Sequence, residues 1–374
     1  MNLFSKIALA GAALLFAAPT YAGNPDRIGQ AGAPELKINP WARSSGWAGA
    51  NTASVQGLEA TSLNVSGLAF TRKTEVMFVN TQRLVGSDVN VNAFGLAQRV
   101  GEQSALGLSI MSVNYGDIPI TTVNLPEGGL GNFRPTALNL GLSYAREFSN
   151  SIYGGMTLRS VSQQIADARA GGIAIDAGIR YVTGKYDNVR FGISLRNIGP
   201  PMQFEGDGFA TKIELNGTEF TLEQRTAPYE LPALLNIGFS YDFFLGNKAP
   251  AASGESTEGS EPAATDAKTN PKTLSSDHVL TAAGNFTSNS FGKDQIRVGL
   301  QYAFKNALRL RAGYVYEEGV FDAAERTTAF TGPTAGISVL LKLNDNGSTA
   351  SLDYSYRVTE RFSGTHAVGL RLNM

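Results

Sequence analysis

The chain contains no cysteine and only two histidines, His278 and His366. A disulfide framework, a thiolate metal site and a cysteine nucleophile are therefore excluded. Histidine-based metal or acid–base chemistry starts with almost no candidates. Charge is also scarce: 17% of the 374 residues are charged, and the formal net charge is -1. Nucleic-acid binders carry a basic excess, so no nucleic-acid partner is expected. Long apolar runs are confined to the start. Lys6, the apolar stretch Ile7 to Ala18 and the small residues around Ala22 read as a signal peptide over 1–22, cleaved after Ala22. That stretch is shorter than the roughly 20 residues a spanning helix needs. An exported chain without such a helix still crosses a membrane if its strands close into a barrel, which satisfies every backbone group internally.

Glycine, at 42 residues, and alternation are what the chain has in quantity. In 350–359, Leu352, Tyr354, Tyr356 and Val358 share one side, and Ser351, Asp353, Ser355, Arg357 and Thr359 share the other. Side chains alternate faces along a strand, so one face is apolar and one polar. The same pattern recurs with Ile173, Ile175, Ile179 and Tyr181 against Asp176 and Arg180, and with Ile296, Val298, Leu300 and Tyr302 against Arg297. It recurs again with Leu308, Leu310, Tyr314 and Tyr316 against Arg309 and Arg311. A soluble sandwich alternates too. Here the apolar sides end in tyrosine or phenylalanine, as interfacial aromatic girdles do, and the opposite sides carry arginine, aspartate and glycine, as a wet lumen does. The fold class expected is an all-β, antiparallel transmembrane barrel of about fourteen strands over 71–374.

Connection lengths support that reading. If the first strand rises from the periplasm, short turns near 101–102, 148–150, 185–186, 306 and 345–347 fall on one side, and the long connections 117–133, 200–231 and 319–332 on the other. The segment 246–277 breaks the rule and reads as a low-complexity insert in a periplasmic connection. Residues 23–70 do not alternate, yet they hold both tryptophans, Trp41 and Trp47. They read as a plug packed in the barrel lumen. Alternation slips near Met111, where Leu106, Leu108 and Ile110 give way to Val113 and Tyr115, and a bulge is expected there.

The stretch Ile38-Asn39-Pro40-Trp41-Ala42-Arg43-Ser44-Ser45-Gly46-Trp47-Ala48-Gly49-Ala50 resembles the N-terminal signature of the PorV/PorQ family of Bacteroidota. A second family motif is similar to Asn64-Val65-Ser66-Gly67-Leu68-Ala69, with Val65 in place of proline. The plug-motif residues carried over are Asn39, Pro40, Arg43, Gly46, Asn64 and Gly67. Weaker likenesses lie at Asn197-Ile198-Gly199, at Gly284 to Phe291 and at Leu310 to Tyr314. The resemblance implies a fourteen-stranded barrel with an N-terminal plug, of the FadL architecture. It also implies a non-enzymatic outer-membrane role in type IX secretion, with translocon subunits and cargo bearing a C-terminal sorting domain as partners beside outer-membrane lipid. The second functional reading is a FadL-like transporter of hydrophobic small molecules, which needs an apolar pocket and a lateral gap.

Other constellations are weak. In Ser276-Asp277-His278, neighbouring residues of a strand point to opposite faces and form no relay. Gly128-Gly129-Leu130-Gly131 has neither the strand–helix setting nor the lysine of a phosphate loop. Asp345-Asn346-Gly347 lacks the glutamate of a calcium loop and reads as a turn. No catalytic residue, metal site or cofactor is expected. The polar candidates are the lumen charges Asp176, Arg180, Arg297, Arg309, Arg311, Asp353 and Arg357, with Arg196 and Lys342. Their plainer role is ion pairing with one another and with the plug.

Overall fold

A computed structural model describes residues 25–245, 276–305, 307–344 and 347–374. The expected signal peptide, most of the 246–277 insert and parts of two short turns lie outside those residues. Fourteen long strands form the wall: β1 (Thr74–Arg83), β2 (Val89–Val100), β3 (Ser104–Asn114), β4 (Thr136–Ser149), β5 (Ile152–Ile165), β6 (Ala168–Thr183), β7 (Val189–Ile198), β8 (Leu234–Leu245), β9 (His278–Asn289), β10 (Gln295–Phe304), β11 (Leu308–Glu317), β12 (Phe330–Lys342), β13 (Thr349–Thr359) and β14 (Thr365–Asn373). Each pairs antiparallel with its sequence neighbour, and β1 returns to β14 from Glu75↔Asn373 to Gln82↔His366. The sheet is a closed fourteen-stranded barrel.

The faces follow the alternation. On β4, Leu138, Leu140, Leu142 and Tyr144 point outward and are 40–58% exposed, while Asn139 and Ser143 point inward and are buried. A contiguous apolar belt of this kind needs an apolar surrounding. Aromatic residues mark its two ends. At the long-connection end Tyr354 and Tyr356 lie against His366, and at the short-turn end Tyr302 and Phe304 lie against His278. The two histidines are taken up in these rings: Nδ1 of His278 lies 2.6 Å from the Tyr302 hydroxyl, and Nδ1 of His366 2.8 Å from that of Tyr354. No helix among the described residues is long and apolar enough to cross a membrane.

Two details differ from the sequence reading. β3 pairs without interruption with β2 and β4, so there is no bulge at Met111. The alternation does not slip there. Met111 and Val113 point inward with Val91 and Ala137, and the lumen itself turns apolar at that height. The connection 200–231 also carries its own hairpin, Ala210–Leu215 with Thr218–Glu223. Its turn is Asn216-Gly217, both at positive φ, the dipeptide that two-residue hairpin turns favour.

Candidate functional site

The N-terminal segment runs through the barrel from one end to the other. At the long-connection end Arg27 pairs with Glu230 at 2.8 Å and lies over the Phe291 ring. At the short-turn end Arg99 Nη1 donates to the Thr71 carbonyl at 3.0 Å. Between these points residues 33–71 are almost wholly buried. Trp41 is 1% exposed and donates its indole N–H to Ser62 Oγ at 3.0 Å. Around it pack Val55, Leu58, Leu63 and Leu68 of the segment and Met77, Val79 and Ala93 of the wall. Inward-facing glycines bring the wall backbone close. A Cβ on Gly313 would lie 2.4 Å from the Trp47 carbonyl carbon, and one on Gly178 would lie 2.2 Å from Asn64 Oδ1.

The motif residues each have a local task. Asn39 Oδ1 accepts from the Trp41 amide, and Pro40 beside it is buried. Asn64 Oδ1 caps the turn Val65–Phe70 through the Ser66 amide, while its Nδ2 reaches the carbonyls of Thr52 and Ile179 at 3.2 and 3.1 Å. A Cβ on Gly46 would meet Gly336 Cα at 2.9 Å, and one on Gly67 would meet the Val55 carbonyl at 2.2 Å. Arg43 Nε donates to Asp353 Oδ1 at 2.8 Å and its Nη2 to Ser351 Oγ at 2.7 Å. Arg371 binds Glu59 of the segment and lies 3.2 Å from Glu75. With the Leu58 amide, which donates to Glu75 Oε2 at 3.2 Å, these bonds tie the segment to β1, β13 and β14.

The other lumen charges divide. Asp176 pairs with Arg159 at 2.6 Å, a partner the sequence reading did not single out, although Arg159 sits on the same inward row as Thr157. Among the described residues Arg180 pairs with no carboxylate: it donates to the Val55 carbonyl and stacks on Phe70. Arg196 donates to the Leu36 carbonyl, and Arg311 to Gln301 and Ser338. Arg309 points inward and is partnered, while Lys342 is exposed at the strand end. Arg297 and Arg357 lie nearer the long-connection end. The lumen charges thus form several separate groups and no single catalytic constellation, and no cluster of three metal-ligating side chains occurs among the described residues.

The wall is interrupted between β6 and β7. β6 and β7 keep register up to Ala177↔Leu195, then jump to Ile175↔Ile198, so β7 carries one extra residue. Asn197 adopts φ 60 there, and its amide donates to Asp176 Oδ1 at 2.7 Å. Beyond Ile175, β6 has no ladder with β7. Only Arg169 and Ala170 find partners, in Glu205 and Phe204. Met202 lies over Gly172 on the inner side of this stretch, where an added Cβ would be 2.5 Å from its Cγ. Behind it lies an apolar cluster of Ala33, Leu36, Val161, Ala170, Ala174 and Leu231, edged by Phe204 and Tyr229. The sequence signal for this break is Asn197-Ile198-Gly199-Pro200-Pro201, since two prolines cannot donate to a ladder.

This closed barrel has solved counterparts. The fold is shared with the Pseudomonas putida toluene transporter TodX. TodX superposes with a TM-score of 0.50 at 12% identity, over 86% of this chain and 93% of TodX. The CymD monoaromatic hydrocarbon channel matches at 0.49 and 13%, over 92% and 97%. A Pseudomonas aeruginosa FadL homologue matches at 0.46 and 11%, over 88% and 96%. No protein-family model matches the sequence, and no curated protein matches it significantly. The likeness to TodX is one of architecture, so the residues within the lumen have to be read from this chain alone.

Glu35 stands out among them. It is 1% exposed at the edge of the apolar cluster beside β5, its Oε2 accepts from Gln163 at 2.9 Å, and its Oε1 has no partner. Burial raises its pKa from the ordinary carboxylate value, against the opposing pull of its hydrogen bonds. A raised folded-state pKa means that the acid form suits the fold. The associated stability is full below the unfolded value near 4.5 and falls as pH rises through the folded value. Glu35→Gln is expected to raise stability at neutral pH and to flatten the loss that sets in as pH rises above 4.5. Thermal unfolding of wild type and variant across that range checks it. Equal pH slopes in the two proteins would remove Glu35 as the cause.

Proposed function

We propose that this protein is an outer-membrane transporter of hydrophobic small molecules, with the N-terminal segment as its plug and the break between β6 and β7 as a lateral exit. The observation that carries the reading is that break. It is the one stretch of wall where β6 has lost its ladder with a neighbour among the described strands, and it opens inward on apolar side chains. A solute leaving by that route enters the apolar belt directly and never crosses the plugged lower lumen. The names of the solved neighbours, a toluene transporter and a monoaromatic hydrocarbon channel, agree with it. The secretion role implied by the resemblance at Asn39 to Gly46 gains no support from these neighbours, and no feature of the wall favours it over transport.

A cysteine pair tests the path cleanly, because the chain has no cysteine of its own. Gly172→Cys with Met202→Cys sets two thiols where the added Cβ and the methionine already meet. Uptake of radiolabelled toluene into vesicles carrying the oxidised double variant is expected to fall at least about tenfold and to recover with reductant. Uptake that ignores the redox state would rule out this exit.

A further inference from the structure

Two buried side chains on the inner side of β4 and β5 carry polar atoms that meet nothing. Asn139, near the start of β4, is 2% exposed, and neither its Oδ1 nor its Nδ2 has a hydrogen-bond partner among the described residues. Glu35, in the N-terminal segment, is 1% exposed, and its Oε1 has none either. The sheet register brings them to one place. Asn139 stands opposite Val161 of β5, and Gln163, the next inward residue of β5, holds Glu35. Such diagonal neighbours on one face of a sheet lie roughly 7–8 Å apart.

A chain of bonds fixes which atoms stay open. The Tyr229 hydroxyl donates to Gln163 Oε1 at 2.6 Å, which turns Gln163 Nε2 toward Glu35 Oε2 at 2.9 Å and leaves Glu35 Oε1 as the free end. No arginine or lysine among the described residues pairs with Glu35. Other buried acids of the lumen do have a cation: Asp353 has Arg43, Asp176 has Arg159, and Glu59 has Arg371. A buried polar atom without a partner keeps its whole desolvation cost, and such atoms are few in folded proteins. Here three of them fall on neighbouring inward positions. Apolar side chains flank them on both sides. Met111 of β3 and Val161 of β5 are the register partners of Asn139. Val161 belongs with Leu36 and Met202 to the cluster behind the break between β6 and β7. Met111 belongs with Ala137 and Ile38 to a second cluster.

The chemistry of these atoms selects the solute. A plain hydrocarbon leaves all three unpaired. A carboxylate would set a second negative group beside an acid that has no cation. An ammonium ion would meet Glu35 but would have to shed its charge to leave through an apolar exit. An uncharged hydroxyl fits. It donates its proton to Glu35 Oε1 and accepts from Asn139 Nδ2, and because it both donates and accepts it suits the carboxylate and the acid form of Glu35 alike. We propose that Glu35 and Asn139 bind the hydroxyl of an otherwise apolar, uncharged solute, a phenol or an alcohol, whose body lies against Met111 and Val161. This rests on the transport reading and narrows it from plain hydrocarbons to their hydroxylated relatives. It also gives a task to Asn139, a polar residue that ion pairing leaves unexplained.

The test is equilibrium dialysis of the full-length, detergent-solubilised protein against protein-free buffer of the same detergent, with radiolabelled phenol and with toluene, which has a methyl group in place of the hydroxyl. Wild type is expected to bind phenol at least about tenfold more tightly, since a site built to hydrogen-bond a hydroxyl rejects the analogue that lacks it. Asn139→Leu, close to the native side chain in shape, and Glu35→Met are each expected to remove about that factor without weakening toluene. A merely structural role for either residue would lower both probes together. The wild-type comparison stands even if a variant fails to fold. Phenol bound no more tightly than toluene would overturn the site, as would a phenol preference that survives both substitutions. A phenol preference lost in the variants, combined with redox-indifferent uptake in the cysteine pair, would leave the hydroxyl site standing and remove the lateral exit. Redox-dependent toluene uptake without a phenol preference would do the reverse.

Discussion

Gly313→Val is expected to drive the N-terminal segment out of the barrel and turn a silent protein into a conducting one. Gly313 lies mid-way along β11 and faces inward. A Cβ there would sit 2.4 Å from the Trp47 carbonyl carbon, 2.6 Å from its oxygen and 2.9 Å from the Ala48 amide nitrogen. These are backbone atoms and cannot swing aside as a flexible side chain does. The segment is tightly wound at this point, with Ala48 at φ 63 and Gly49 at φ 70. It is also pressed on the adjacent strand, where a Cβ on Gly299 would be 3.1 Å from the Trp47 oxygen. Ordinary overpacking in a core costs about 1–3 kcal/mol, and a clash with fixed backbone exceeds that range. The wall keeps its closed ladder, so the segment yields first. Conductance in planar bilayers and protease cleavage within 25–70 of the folded barrel report the outcome. Gly171→Val is the control, since a Cβ added there meets nothing within 4 Å. If both variants conduct as little as wild type and resist protease equally, the close approach at Gly313 does not hold the segment in place.

The second large effect is expected at Arg43. Arg43→Met removes the 2.8 Å bond from Nε and leaves the buried Asp353 carboxylate with the hydroxyls of Ser351 and Ser338 and the more distant charge of Arg371. Removing one partner of a buried pair costs about 3–5 kcal/mol, because the remaining charge keeps its desolvation penalty and loses its compensation. Replacing both partners by apolar groups is far milder, and Arg43→Met with Asp353→Leu is expected to recover most of the loss. The protein reports on itself. Its only two tryptophans, Trp41 and Trp47, are both in the segment, so intrinsic fluorescence in a urea titration follows the segment and not the wall. A double variant as unstable as Arg43→Met would show that the pair does not act through its charges.

Much of the wall was legible residue by residue. Leu352, Tyr354 and Tyr356 fall on the lipid-facing side of β13, and Asp353 and Ser355 on the inner side, because a strand's side-chain period of two is a local property of the backbone. Where the reading failed, the cause was also local. At Met111 an apolar residue on the inner face looked like a slip in register, because alternation assigns apolar residues to lipid and has no term for an apolar patch of lumen. Phe330 falls within the expected connection 319–332, whereas β12 begins at Phe330 and passes through Gly332 and Pro333 as a bulge. Arg83 fell just beyond the expected end of β1.

The amino-acid sequence by itself determined the strand count, the direction each strand faces, the long and short ends of the barrel, and the presence of a non-alternating segment before the wall. All of these follow from neighbours in the chain. Only the closed tertiary structure decided which charges meet. Arg43 and Asp353 are 310 residues apart, as are few other bonded pairs here, and Arg83 meets Phe330 only because β1 and β14 join. Ring closure sets the inward faces of fourteen strands against a single segment and against one another. Pairings made in that way depend on register and distance across the lumen, which no local periodicity encodes.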